Sequence, residues 1–170
     1  VDRDQLRTVQ GPLKERYKTE PEAAQITLSA TGELGDGVAC SVQTARALAE
    51  AGLHPATGGD GSLLCSGDML LEALVACAGV TLRAVSTSLG IEVAGGRVQA
   101  EGDLDFRGTL GVDRDAPVGF SAIRLSFELD TGADEDQLAT LKRLTERYCV
   151  VYQTLAGGAA LSTTLSAGTA

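Results

Sequence analysis

Four cysteines, Cys40, Cys65, Cys77 and Cys149, and a single histidine, His54, are the residues of this 170-residue chain best suited to covalent or proton-transfer chemistry. Cys77 lies in "ALVACAGVTL", within the most apolar segment, and Cys149 lies in "ERYCVVYQTL" after a charged, helix-like stretch. Two readings of Cys77 stand side by side. A cysteine amid Ala and Val can be a small core residue. It can also be a nucleophile, and then it must be a thiolate. Burial in an apolar helix raises a thiol's pKa, so the second reading needs a positive charge or strong donors beside the sulfur. At about 100° per residue, Ala73, Leu74, Val80 and Thr81 share its face, while Glu72 and Arg83 are turned roughly 140° and 120° away. An activating arginine would therefore come from elsewhere, with Arg46, Arg97, Arg107 and Arg124 as candidates. Cys149 sits at a helix C-terminus, where the dipole disfavours a thiolate. That suits a resolving thiol, which closes a disulfide on an oxidised partner.

The remaining candidates are weaker. No two cysteines form a CxxC pair and there is one histidine, so no zinc-ligand spacing is present. His54 with scattered serines makes no hydrolase triad. It reads as a loop anchor, with catalysis as the weaker alternative. Cys40 and Cys65 read as passengers, with Cys65 a competing resolver should its loop fold over the helix.

Composition excludes several classes. The net charge of -9 repels phosphate backbones, and aromatics at 4% without tryptophan supply no stacking platform for nucleic acid. The uncharged run between Glu72 and Arg83 is ten residues, where about twenty are needed to span a bilayer. The segment "VDRDQLRTVQ" is charged and has no apolar signal region. A cytoplasmic protein with free or redox-active thiols is expected.

The elements that must position the thiols follow from periodicity. Residues 1–20 carry Leu6, Val9, Leu13 and Tyr17 at helical spacing, broken at Gly11-Pro12, which predicts a helical N-terminal arm ahead of one domain over 21–170. "AAQITLSATGEL" and "GDGVACSVQTARAL" read as a hairpin, and "AGLHPATGGDGSLLCSG" as a loop without phosphate-binding order. Ser66 to Gly90 predicts the dominant helix, capped by Ser66 or Asp68 and ended by Gly90. It is apolar on nearly all faces, so it is expected to be a buried central helix. Strands are expected in "GGRVQAEGDLDFRG" and "VGFSAIRLSFELDTG". The second sets Ile123, Leu125, Phe127 and Leu129 on one face. "ADEDQLATLKRLTERYC" predicts an amphipathic helix with an Asp134/Gln137 capping box, and "ALSTTLS" one last strand. Strands run together and then helices, which gives α+β with antiparallel sheets.

With both cysteine contexts in place, "SGDMLLEALVACAGVTL" resembles the central helix of the OsmC/Ohr family, and "LTERYCVVYQTL" resembles that family's second cysteine signature. The 72-residue separation of the cysteines fits as well, and the likeness covers roughly residues 24–166. The resemblance implies an intertwined homodimer, with antiparallel sheets from both chains wrapped around two long central helices and active sites at the interface. It implies a thiol peroxidase for organic hydroperoxides in which Cys77 attacks and Cys149 resolves. A dithiol reductant, in some members a dihydrolipoyl protein, would restore the thiols without a bound cofactor or metal. Hydroperoxide-resistance members carry a glutamate where this chain has Gly67, and an arginine in a turn that here reads "GELGDG". Asp68, Glu72 and Arg46 are the candidate substitutes. Val150 stands in place of the family's proline. The departures motivate an alternative, a non-catalytic OsmC-like dimer that binds a small apolar ligand.

Overall fold

A computed structural model describes residues 2–5, 8, 10, 11, 19, 31–34, 40–43, 48–111 and 113–167. Strands β1 (Thr31–Leu34), β2 (Cys40–Gln43), β3 (Leu48–Gly52) and β4 (Leu64–Cys65) form one sheet in that order. β1–β2 and β2–β3 are antiparallel, and the short β3–β4 pair is parallel. Helix α1 (Ser66–Leu89) follows, then β5 (Gly95–Asp103), a short α2 (Phe106–Thr109), β6 (Ala122–Asp130), α3 (Glu135–Tyr148) and α4 (Val150–Gly157). β5 and β6 pair antiparallel over their full length, from Gly95 opposite Asp130 to Asp103 opposite Ala122. The class is the expected α+β.

Of the arm, residues 3–5, 8, 10, 11 and 19 are helical, while Leu6, Val9, Leu13 and Tyr17 lie outside the described residues. The first hairpin is present as β1–β2, with its Gly35-Asp36-Gly37 turn also outside them. β3 runs through a stretch with no clean alternation, and it was not anticipated as a separate strand.

α1 ends as expected at Gly90, whose φ of 71° suits a residue without Cβ. Its N-cap is Cys65, with no side-chain capping bond, rather than Ser66 or Asp68. The expectation of burial all round needs correction. α1 buries one stripe, Leu74, Ala78, Leu82, Val85 and Ser86, and Val80 on another face is 71% exposed. Length and composition alone would let α1 cross a membrane. Its stripe instead packs on β5, α3 and α4, and the exposed Glu72 and Arg83 interrupt the apolar run, as in the core helix of a globular domain.

Two apolar clusters hold the layers together. Leu82, Val85, Val93 and Leu141 form one; Leu74, Ala78 and Cys149 form the other, and Phe127 packs against both. β6 alternates as expected, with Ile123, Leu125, Phe127 and Leu129 turned inward. α3 begins with the predicted reciprocal box, in which Asp134 Oδ1 accepts from the Gln137 amide at 2.8 Å and Gln137 Oε1 from the Asp134 amide at 3.0 Å. Residues 158–167 carry no secondary structure, so the expected last strand is absent. A strand needs an edge to pair with, and in this conformation the tail has none.

Leu141 is 1% exposed and sits between α1 and the inner face of β6. Leu141→Ala should destabilise the fold by about 2–3 kcal/mol, toward the low end of the usual range because one side borders an open cavity that can relax or hydrate. Asp134→Ala, which removes the cap, should cost about 1 kcal/mol. Urea unfolding checks both: the midpoint should fall at constant slope, twice or more as far for Leu141→Ala.

Candidate functional site

Cys149 joins two helices. It is the C-cap of α3, donating its amide to the Thr145 carbonyl at 2.9 Å. It is also the N-cap of α4, where its Sγ accepts from the Tyr152 amide at 3.5 Å. The first amides of a helix have no acceptor within it. Here they face sulfur. Val151 and Tyr152 pack in the same cluster as Cys77 and Cys149, because Ala78, fully buried, is small enough to let the α3–α4 corner sit close to α1.

The two thiols are displaced in opposite directions. Burial acts most strongly on Cys77 and raises it. The Val151 amide, the Cys149 thiol, the Val150 amide and the Thr81 hydroxyl all favour the thiolate, and together they draw Cys77 below the ordinary thiol value. Cys149 is pushed up, chiefly by burial. The Tyr152 amide opposes that rise, and the neighbouring Cys77 adds to it. So the sequence expectation that Cys149 is a poor thiolate agrees with this direction, but the leading cause is desolvation rather than the end of α3.

The group that stabilises the Cys77 thiolate is therefore a helix N-terminus. Among the described residues no arginine contributes to it. Arg107 is held by Asp105 at 2.6 Å and Asp113 at 3.3 Å. Arg124 is held by Asp103 and, more loosely, by Glu101. Arg97 lies on β5 opposite Glu128, and Arg46 lies outside the described residues. Glu72 is exposed on α1 and is not among the groups that move Cys77. Asp68 lines a small cavity at the N-terminal end of α1 with His54, Cys65 and Phe106, about 13 Å along the helix from Cys77.

His54 has the anchoring role. Its Nδ1 accepts from the Ala56 amide at 3.0 Å, and its ring stacks on Phe106 with centroids 5.0 Å apart. Cys65 caps α1 twelve residues before Cys77, about 18 Å away along the same helix, so its loop does not bring it to the pair. The side chain of Cys40 lies outside the described residues. The sequence places Thr81 on the face of Cys77, but it does not reveal the contribution of the Val150 and Val151 amides. The only available signal was the apolar spacing of "VVYQTL", and a cysteine is not among the usual N-cap residues.

A family model described as OsmC-like protein matches residues 59–164. No curated protein matches. Among solved structures, an OsmC-like protein from Mycoplasma pneumoniae superposes with a TM-score of 0.66 at 16% identity, covering 79% of this chain and 90% of its own. An organic hydroperoxide resistance protein from Legionella pneumophila gives 0.62 at 15% identity over 78% and 93%. One from Elizabethkingia anophelis gives 0.57 at 14% identity over 79% and 92%. At these identities the likeness establishes the fold.

The opposed thiols predict a pH profile. Alkylation of native protein by iodoacetamide should rise with pH as the Cys77 thiolate forms, with a midpoint below the free-thiol value of about 8.5. Cys149→Ala removes one donor, so the midpoint should move up. Peptide mass mapping should find the label on Cys77 well before Cys149.

Proposed function

The chain belongs to the OsmC-like protein family, and from that premise we propose that it is a thiol-dependent peroxidase for organic hydroperoxides, with Cys77 as nucleophile and Cys149 as resolver. The observation that carries this reading is the packing of Cys77 against the cluster that holds the buried Cys149, with Cys77 drawn toward the thiolate and Cys149 held away from it. The Legionella and Elizabethkingia structures, named organic hydroperoxide resistance proteins, support it through the shared fold.

The steps balance as follows. The Cys77 thiolate attacks one peroxide oxygen; an S–O bond forms, the O–O bond breaks, and the alkoxide leaves. The alkoxide takes a proton, which the Cys149 thiol can supply, and becomes the alcohol. Cys149, now a thiolate, attacks the Cys77 sulfenic acid. A disulfide forms and hydroxide leaves, protonated to water. A dithiol reductant, which a dihydrolipoyl protein could provide, then exchanges with the disulfide and carries away two electrons. The chemistry suits a reducing cytoplasm, and we place it in a homodimer. No metal or organic cofactor enters the cycle.

A second reading has one observation in its favour. A cavity of about 800 Å³ opens between β6, α3 and α4, with an apolar floor of Ile123, Leu125, Phe127 and Leu129. A non-catalytic dimer could hold a small apolar ligand there. A Cys77 pKa well above about 8.5 would favour this binder.

Intact-mass measurement separates the two. One equivalent of cumene hydroperoxide should lower the wild-type mass by about 2 Da, the loss of two hydrogens. Cys149→Ser should stop at the sulfenic acid, about 16 Da heavier and trapped by dimedone, and Cys77→Ser should not react. An unchanged wild-type mass would sink the peroxidase.

A further inference from the structure

We propose that the Thr145 hydroxyl is the hydrogen-bond donor reserved for Cys149 when that thiol becomes a thiolate, so that Thr145 sets how fast the resolving step closes the disulfide. The inference deepens the peroxidase reading above and rests on it for Cys149 as the resolver.

Thr145 is distinguished by an unspent proton. It is 1% exposed on α3, and among the described residues its Oγ1 is the one buried side-chain nitrogen or oxygen without a hydrogen-bond partner. A hydroxyl within a helix commonly donates to the carbonyl one turn back. Thr87 does so to Arg83, and Thr154 to Val150, both at 2.8 Å. A buried hydroxyl left idle costs stability, whereas an apolar group of the same shape at that place does not. Valine would fill the space as well. Packing therefore gives no reason for an oxygen here, and a second state of the site does.

The neighbour that changes state is Cys149. Thr145 precedes it by four residues, and the Cys149 amide donates to the Thr145 carbonyl at 2.9 Å. The Cys149 φ of -74° keeps its Cβ on the helical path. Side chains four apart on a helix share a face, with Cβ atoms about 5–6 Å apart, and the later one leans back toward the earlier. Threonine in a helix divides between two χ1 wells, so rotation about χ1 brings oxygen and sulfur together. The same spacing already operates on α1, where the Thr81 hydroxyl favours the thiolate of Cys77. At rest the Cys149 Sγ is engaged elsewhere, accepting from the Tyr152 amide at 3.5 Å.

Resolution creates the demand. On giving up its proton, Cys149 becomes an anion at a position with no exposed surface, and one long amide contact offsets little of the lost hydration. Among the described residues the only ionisable side chain that acts on Cys149 is Cys77, which brings no positive charge. Thr145 then turns its O–H to the sulfur. Cys149 attacks the Cys77 sulfenic acid; the S–S bond forms, the S–O bond breaks, and hydroxide leaves and is protonated to water. Thr145 keeps its own proton throughout. Burial holds Cys149 above the ordinary thiol value, so a donor that lowers it raises the thiolate population more than it weakens the nucleophile.

Two measurements on the full chain test this. In a Cys77→Ser background, the Cys149 titration is followed through its 13C-labelled Cβ. Thr145→Val should move the midpoint up by about one pH unit, as expected from losing a hydrogen bond to a charged group, and Thr145→Ser should restore it. In the two-cysteine protein, one equivalent of cumene hydroperoxide followed by timed dimedone quenching reads the lifetime of the Cys77 sulfenic acid. That lifetime should lengthen about 3-fold in Thr145→Val, the lost thiolate population being partly offset by its greater nucleophilicity. Thr145→Val should also resist urea at least as well as the wild type, because no idle hydroxyl remains. Coincident titration midpoints, or an unchanged sulfenic acid lifetime, would overturn the proposal and leave the peroxidase standing. A Thr145→Val variant that unfolds at markedly lower urea would do the same, since the hydroxyl would then be partnered at rest. Should the wild type not react with peroxide, the peroxidase falls, and the titration still decides whether Thr145 donates to Cys149.

Discussion

Two sulfur atoms share the start of one short helix, and the site depends on that sharing. A thiolate among Leu74, Ala78 and Ile123 loses water and must recover interactions from fixed donors. α4 offers them because its first amides have no partner inside the helix. The Val150 and Val151 amides favour the Cys77 thiolate, while Tyr152 gives its own to Cys149. The result is an asymmetric pair built from backbone. A helix N-terminus carries about half a positive charge, and a guanidinium carries a whole one. This arrangement therefore favours the thiolate less forcefully than an ion pair would. It also needs no second buried charge and no desolvation of an arginine.

Packing sets the distance over which those donors act. α4 has eight residues, too few to be stable in isolation, so its position is dictated by what it rests on. It rests on α1 where α1 presents Ala78, with no exposed surface, beside Leu74. A larger side chain at 78 would lift the α3–α4 corner and take the amides away from Cys77. One residue further, Gly79 meets Val98 of β5, and a Cβ there would lie 3.6 Å from it. Small residues on two sides of α1 thus bring a sheet and a helix corner close to the same turn. Phe127 of β6, touching both clusters, ties this turn to the far half of the core.

The sequence made the periodic parts legible. Alternation at Ile123 to Leu129 identified β6 and its inner face, Gly90 marked the end of α1, and the Asp134/Gln137 box marked the start of α3. Each is a local signal with a local cause. The two cysteines were legible as candidates by their contexts. What activates Cys77 was not, because a backbone amide has no letter in the sequence; the search for a charged side chain passed over "VVYQTL". β3 was lost in a stretch whose pairing with β2 is set by the neighbouring strand rather than by its own pattern. The last strand, expected from the alternation in "ALSTTLS", is absent from the described residues, since alternation reports a capacity to pair and says nothing of where the partner is.

The same distinction explains α1. A helix apolar all round is expected to be buried all round, and this one buries a single stripe while leaving Val80 71% exposed. The pattern is a constraint on the environment of the helix, and the described residues supply only part of that environment. Intrachain contacts account for Leu74, Ala78, Leu82 and Val85; among the described residues, Val80 packs in neither apolar cluster. A charged or polar residue at that face would cost the chain's own fold nothing. Val80 lies three residues from Cys77 on the helix that carries the site. Packing and the chemistry of the thiol pair are then two demands on one helix, met by neighbouring residues of the same turn.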